Sequence, residues 1–232
     1  MLVPCHLHPA VVAPQAAKRR ASGDKPCDHP NVWNVPDTPS APKPPAAFAA
    51  AVQSLRSASI RTELSVSEIP APGTLAPWSF ALAADVTPAR HGTDSELGTG
   101  RFVLLYDDTS PEAWGGPFRV ICFAQAPLET EMGVDPFLAD VAWSWLVDAL
   151  ATRGAEYNAA SGTATRILST GFGELEGQGQ GAQIEVRASW SPRDHDLASH
   201  VEGWGELMCM LAGLPPAVEG VSLLSARRVG RD

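Results

Sequence analysis

The feature that most constrains this chain is a helix that is apolar on almost every side. At the helical period, residues 137–152 place Asp140, Ser144, Asp148 and Thr152 on one narrow polar stripe, and nearly everything around it is apolar. A surface helix needs only about a third of its circumference to be apolar. The pattern therefore predicts a helix packed on more than one side, between two layers or against a sheet and a partner.

Two tryptophans in this helix point in different directions. Trp143 and Trp145 are two residues apart, which is about 200° around a helix axis. A single layer cannot bury both rings. We expect one ring to pack on a sheet and the other to pack beneath another helix or at a subunit interface, so a homodimer is one way to complete the structure.

The distribution of charge limits the classes of partner and of chemistry. The 232 residues carry a formal net charge of −9, and the first 45 hold five basic and three acidic side chains, which leaves −11 for the rest. An acidic body disfavours nucleic acid and anionic membrane surfaces as partners. All three lysines also lie in the first 45 residues. The main body therefore lacks the lysine that Schiff-base, pyridoxal phosphate and P-loop sites require.

The remaining composition predicts a cytoplasmic protein. The four cysteines, at positions 5, 27, 122 and 209, form no CxxC pair, which is typical of a reducing compartment. Apolar runs stay below the roughly 18 residues of a membrane span. The first residues do not have the charge and apolar order of a signal peptide. We expect no membrane association.

The chain divides into three parts. Residues 1–45 contain ten prolines and no sustained periodicity, so we expect a disordered extension; a start codon placed too far upstream is the alternative explanation. Residues 46–216 carry regular periodicities without an internal linker and predict a single α+β domain. Residues 217–232 are expected to form a mobile tail.

The periodicities within residues 46–216 predict the order α-β-β-β-β-α-β-β-α. Helices are expected at 46–58, 137–152 and 195–212, and alternation predicts strands near 64–67, 78–86, 157–170 and 182–191. The apolar runs at 102–106 and 118–124 are typical of central strands covered on both faces. Successive strands are joined too closely for parallel crossovers. We therefore expect a mainly antiparallel sheet of about six strands with helices packed on one face.

None of the candidate chemical motifs predicts catalysis, a metal or a cofactor. Cysteines 5 and 27 with histidines 6, 8 and 29 are ligand types that zinc accepts, but their spacing matches no zinc finger. Asp140 and Asp148 lie about 12 Å apart along the helix, too far to share one proton. Asp194-His195-Asp196 fits a helix start, and glycine-rich residues 177–181 fit a hairpin loop. We assign no catalytic residue.

The remaining polar signal is a sheet face. Arg166, Glu185 and Arg187 lie on two strands that a hairpin would pair. Such residues form either a solvated face with cross-strand ion pairs or a docking surface. Together with Trp143 and Trp145, they form the candidate binding surface.

Several motifs in the same order resemble an uncharacterised actinobacterial family, a domain of unknown function. The resemblance covers about residues 46–216 and rests on Glu68-Ile-Pro-Ala-Pro72, Glu129-Thr-Glu-Met, Trp143-Ser-Trp-Leu, Ala160-Ser-Gly-Thr-Ala-Thr-Arg166, Gln183-Ile-Glu-Val-Arg-Ala-Ser-Trp190 and Leu211-Ala-Gly-Leu-Pro-Pro216. It implies a soluble bacterial protein and no known activity. The order of elements is also similar to the type III secretion chaperone-like fold, with one extra strand, whose members dimerise and bind polypeptides.

These observations favour one functional hypothesis over a second. The first is a cytoplasmic interaction module that binds protein or peptide through its sheet face or the surface around the middle helix. The second is an enzyme or small-ligand binder that uses carboxylates and arginines in a pocket. A deep pocket with converging polar groups would favour the second, and a broad, partly apolar surface would favour the first.

Overall fold

The structure, a computed structural model, describes residues 43–87, 97–178 and 180–215. Within them, six strands form one antiparallel sheet, and the predicted α+β class and order of elements are confirmed. Three predictions lie outside the described residues. They are the extension (of which only residues 43–45 are described), the cysteine and histidine cluster within the extension, and the tail at 217–232.

The elements follow the predicted order with two short additions. The helices are α1 (Ala46–Ser57), the single turn α2 (Thr130–Gly133), α3 (Leu138–Thr152) and α4 (Ala198–Leu211), and a 3₁₀ turn spans Gly173–Gln178. The strands are β1 (Leu64–Ile69), β2 (Trp78–Val86), β3 (Thr99–Tyr106), β4 (Phe118–Leu128), β5 (Tyr157–Thr170) and β6 (Gln180–Pro192). Their order in the sheet is β1-β2-β3-β4-β6-β5, with every neighbouring pair antiparallel. The edge strands are therefore β1 and β5.

One face of the sheet carries the helices. The register aligns even-numbered residues on this face in β1, β2, β3, β4 and β6. Trp204 of α4 lies against Gly100 there, and the ring of Phe48 in α1 lies 5.9 Å from that of Tyr106. We call this side the helix face and the other side, which carries the odd-numbered residues, the open face.

The middle helix α3 has neighbours on two sides, as its sequence predicts. Trp143 packs on Gly162 of β5, and on another side Leu150 packs on Gly203 of α4. A Cβ at position 203 would lie 2.9 Å from Leu150 Cδ2 and 3.1 Å from Leu150 Cα, so the two helices cross closely. The predicted stripe of Asp140, Ser144, Asp148 and Thr152 is exposed. Packing of α3 on two sides is therefore confirmed within a single chain, while Val141 of the same helix stays exposed.

A residue from α1 caps the start of α4. The Ser54 hydroxyl accepts hydrogen bonds from the backbone N–H groups of Leu197 (2.8 Å) and Ala198 (3.0 Å) and donates to Asp196 (2.7 Å). These N–H groups lack partners inside the helix, and a hydroxyl acceptor stabilises them. At the other end, Gly213 stops the helix with φ +76°.

A histidine lies in the core beneath the sheet. Trp190 donates its Nε1–H to Nδ1 of His200 at 3.0 Å, and the two residues are 0% and 1% exposed. Burial disfavours the imidazolium and lowers the pKa of His200 to about 4, although Asp194 and Asp196 oppose this. His200 is therefore neutral at pH 7 and serves as a hydrogen-bond acceptor for Trp190.

We expect this histidine to make the protein less stable in mild acid. Above the ordinary histidine pKa of 6.5, His200 is neutral in both states and contributes no pH dependence. Between pH 6.5 and 4 only the unfolded chain binds the proton, so stability falls by roughly 3 kcal/mol over this window. Denaturant unfolding at a series of pH values measures the loss. His200→Gln, which keeps an acceptor for Trp190, should flatten it, and an unchanged slope would contradict the assignment.

Candidate protein-docking surface

Large apolar side chains are exposed mainly in one region of the described structure. Seven of the eight that are more than about a third exposed belong to residues 132–141 and 168–175. We call these seven the β5 patch, and they are Met132, Val134, Phe137, Val141, Leu168, Phe172 and Leu175. Phe172 is 80% exposed and Phe137 is 68% exposed. Scattered exposed apolar residues are ordinary, but a contiguous group marks an interaction surface.

The two stretches of the patch meet where α2 packs on the sheet. A Cβ at Gly133 would lie 2.9 Å from Leu168 Cδ2, so the α2 turn rests directly on β5. Val134 and Leu168 line the same cleft of about 510 Å³, together with Ala164 and Arg166. Phe172 follows the end of β5 and extends the apolar surface beyond the strand. Val134 and Leu168 therefore adjoin at the β5 margin of the sheet, and the other members of the patch lie close to them in sequence.

That margin is the longer edge of the sheet. Strand β5 spans 14 residues and, among the residues that the structure describes, pairs only with β6, whereas the other edge strand, β1, spans six. An edge strand presents unpaired backbone N–H and C=O groups to an incoming strand, and proteins usually protect long edges with proline, lysine or inward charges. β5 contains no proline, lysine or acidic residue, and Arg166 is its one charged side chain. The edge is chemically open to strand addition.

Arg166, a predicted binding residue, lies on the helix face beside this edge. Its Cα pairs with that of Ile184, and its Nη1 donates a short hydrogen bond to the Asp135 carbonyl. The Asp135 carboxylate in turn accepts from the backbone N–H of Phe137 at 2.9 Å, just before the start of α3. Arg166 is still exposed and lines the cleft between Val134 and Leu168. It holds the α2–α3 segment on β5 and forms a polar border to the patch.

The two predicted tryptophans diverge as expected. Trp143 is half-buried over Gly162, where a Cβ would lie 2.6 Å from its Cζ3 atom, so this ring packs on the sheet at β5. Trp145 faces the other way and lines a groove of about 460 Å³ with Leu138 and Met210. The expected packing of one ring on the sheet is confirmed, whereas Trp145 is half-buried in its groove, and its burial beneath another helix or at a subunit interface stays a prediction. Trp143 contacts β5, whereas Trp145 lines its groove together with Met132 of the β5 patch.

The other two predicted binding residues lie on the open face. Nε of Arg187 donates to Glu185 at 2.6 Å, and its guanidinium stands 5.5 Å from the centre of the Phe123 ring. The pairing with Glu185 raises the pKa of Arg187. The sheet thus separates Arg166 from Glu185 and Arg187, and the five predicted residues do not form one surface.

The polar candidates for acid–base chemistry are dispersed. In the described ranges, no group of three histidine, cysteine, aspartate or glutamate side chains is placed to hold a metal ion. The ring of His195 contacts that of Phe118 at 5.2 Å, and His200 is in the core. A polar cleft of about 460 Å³ at one end of the sheet has Asp85, Gln125 and Gln183 among its lining residues.

Sequence reasoning missed the most exposed residues of the patch. Phe137 lies at the start of the apolar run of the middle helix, but Pro136 before it and its position ahead of the first helical turn separate it from the buried set. Phe172 stands between Gly171 and Gly173 in a glycine-rich connecting segment. A bulky aromatic between two glycines in a connecting segment was the available signal.

Within the part of the chain that the structure describes, no helix combines the length and the apolar character needed to cross a membrane.

Comparison with known proteins shows the family of this chain. Residues 44–222 match the family described as "Protein of unknown function (DUF3000)". This match spans more than half of the chain, and the chain belongs to that family. No curated protein and no solved structure matches it.

Proposed function

We propose that this chain, in a family whose description assigns no activity, is a protein-binding module whose partner docks along β5. The observation that carries the proposal is the coincidence of the β5 patch with a long, unprotected sheet edge. The backbone of an extended partner segment continues the sheet at β5, and its alternate side chains contact the patch. The hydrogen bonds supply affinity, and the apolar contacts supply selectivity.

The size of the patch fits such a partner. Seven partly exposed large side chains present apolar surface on the order of several hundred Å², which is the range in which exposed patches are often functional. β5 itself contains no acidic residue, but Asp135, Asp140 and Glu174 are exposed among the side chains of the patch. The docking segment of the partner is therefore expected to be apolar and, where it is charged, basic.

The setting we propose is the cytoplasm of an actinobacterium. Cys122 and Cys209 form no disulfide, as is usual for proteins of a reducing compartment, and both lie in the core. Burial raises the pKa of Cys122 to about 12 and that of Cys209 to about 11, which keeps both thiols protonated and unreactive. The partner is either another protein or a second copy of this chain, which would form a homodimer.

Site-specific photo-crosslinking in cells tests the docking surface. A photoreactive p-benzoyl-phenylalanine at position 137 or 172 should yield a discrete crosslinked species, because both native side chains are phenylalanines of the β5 patch. The same residue at Ser67, exposed on the opposite edge strand β1, is the matched control. Mass spectrometry of the product identifies the partner, and a product of twice the chain mass identifies a homodimer.

A second substitution ties the crosslink to the patch. Leu168→Glu replaces a side chain that is 56% exposed, so the fold should survive while the crosslink from position 172 is lost. Equal crosslinking at positions 67 and 172, or a crosslink that persists in Leu168→Glu, would refute docking at β5.

A further inference from the structure

A groove between α3 and α4 begins where the described chain ends. It has two sections, of about 350 Å³ and about 460 Å³, and both are lined by Trp145, Met210 and Gly213. The two sections therefore adjoin. The first also includes Leu214 and Pro215, the last two residues that the structure describes. We call both sections together the α3–α4 groove.

The walls of the α3–α4 groove are apolar and partly exposed. The second section runs from Trp145 past Leu138 of α3 to Met132 of α2. Trp145 and Met210 are half-buried and Met132 is 46% exposed, so the groove presents apolar surface that an apolar segment would cover. Among the described residues that line either section, Glu129 is the one charged residue, and it lines only the second. The groove therefore fits an apolar segment that is followed by basic residues.

The segment that follows the described chain has this composition. Residues 217–224 read Ala-Val-Glu-Gly-Val-Ser-Leu-Leu, with Glu219 as their one charged residue, and arginines follow at positions 227, 228 and 231. The family match continues to residue 222, past the last described residue, Pro215. The family domain thus includes most of this apolar segment.

The starting point and the length of the segment suit the groove. The Pro215 carbonyl accepts from Nη1 of Arg61 at 2.8 Å, which holds the start of the segment beside the first section. Helix α3 rises about 10 Å between Leu138 and Trp145. Eight extended residues reach roughly 27 Å. Residues 217–224 are therefore long enough to follow the groove and to bring the arginines to its second section.

We infer that residues 217–224 of this chain lie in the α3–α4 groove and cover Trp145 and Met210. Burial of apolar surface stabilises this contact, and Glu129 attracts the arginines that follow. The inference limits the expected mobile tail to the residues after 224. It does not depend on docking at β5, although Met132 belongs both to the groove and to the β5 patch.

Photo-crosslinking in the purified full-length protein tests where the segment lies. p-Benzoyl-phenylalanine in place of Leu223 should give a product of single-chain mass, in which position 223 is joined to Met210 or Trp145. The same residue in place of Val229, beyond the first two arginines, is the matched control and should not join either of them. Tandem mass spectrometry of the digest locates the join. A product of twice the chain mass would place the segment on a second copy and overturn the inference, as would the absence of a join to Met210 or Trp145.

The rate at which hydrogen peroxide oxidises Met210 tests the same contact without a probe. Met210 lines both sections of the groove and, unlike Met132, lies outside the β5 patch. The double substitution Leu223→Glu and Leu224→Glu should make this oxidation several-fold faster, because charge is costly in an apolar groove and the segment then leaves Met210 exposed. Mass spectrometry of the digested protein measures the rate.

A matched variant and a buried methionine are the controls. Val229→Glu with Gly230→Glu adds the same charge outside the proposed contact and should leave the oxidation rate of Met210 at the wild-type value. Met208, which is 2% exposed, should oxidise slowly in all three proteins and so verifies that the core stays folded. Equal oxidation rates of Met210 in the wild type and in the first double variant would overturn the inference, and so would equal rates in the two double variants.

Discussion

Glu206→Ala is expected to lower the free energy of unfolding by about 3–5 kcal/mol. Glu206 of α4 is 5% exposed and lies between two cations. Arg61, from the connection between α1 and β1, contacts one of its oxygens at 3.2 Å, and Arg153, just after α3, makes a short bond to the other. Removal of this carboxylate leaves two partly buried guanidinium groups facing each other. Thermal and denaturant unfolding measure the loss.

The surrounding contacts explain why Glu206 is central to this network. Arg61 also bonds Glu63 at 2.6 Å and the Pro215 carbonyl at 2.8 Å, and its hydrogen bond holds the pKa of Glu63 below its usual value. The network thereby joins the C-terminal end of α4, the end of α3 and the start of β1. The exposed pair of Arg56 and Glu68 is the control, and Glu68→Ala should change stability little. An equally small effect for Glu206→Ala would contradict the role assigned to the buried carboxylate.

Gly162→Ala is the second substitution with a large expected effect, and it should lower the free energy of unfolding by about 1–3 kcal/mol or more. Gly162 lies in β5 beneath Trp143, and an added Cβ would stand 2.6 Å from Cζ3 of that ring and 3.0 Å from the Ala188 Cα. It would also overlap the backbone carbonyl of Arg187. The ring can move but the backbone of β6 cannot easily do so, because β6 is paired on both sides. Unfolding curves give the loss, and tryptophan fluorescence reports displacement of Trp143.

Another strand glycine provides the matched control. Gly181 lies in β6, and a Cβ there would meet nothing within 4 Å. The free energy of unfolding of Gly181→Ala should therefore stay within about 0.5 kcal/mol of the wild-type value. Similar losses of unfolding free energy at positions 162 and 181 would show that strand glycines act through backbone entropy. They would contradict the described packing of α3 on β5.

The sequence predicted those parts of the fold that a local pattern determines. Alternation gave β2 and β5 with the observed bounds, and the glycines that follow α3 and α4, Gly154 and Gly213, have the positive φ that ends a helix. The apolar runs of β3 and β4 lie at the centre of the sheet as predicted, but helices cover only one of their faces. Arg101 and Arg119 lie on the other face, and these arginines were the signal that this face is open.

The arrangement of candidate residues depends on register, which the pattern does not determine. Arg166 faces away from Glu185 because a bulge in β5 and the 3₁₀ turn before β6 set which residues pair. A shift of one residue moves every side chain to the other face. The β5 patch also required tertiary information, since it combines the α2 turn with the end of a strand more than thirty residues later.

The most direct test of docking at β5 is side-chain footprinting by hydroxyl radicals. The wild-type protein is labelled alone and again in its complex, which is formed with the partner that crosslinking identifies or is its own dimer. The modification of each phenylalanine is then measured by mass spectrometry. We predict that Phe137 and Phe172 become protected in the complex, while Phe123 on the open face keeps its reactivity. Protection of Phe123 with Phe137 and Phe172 unchanged would contradict the proposed function and move the docking surface to the open face.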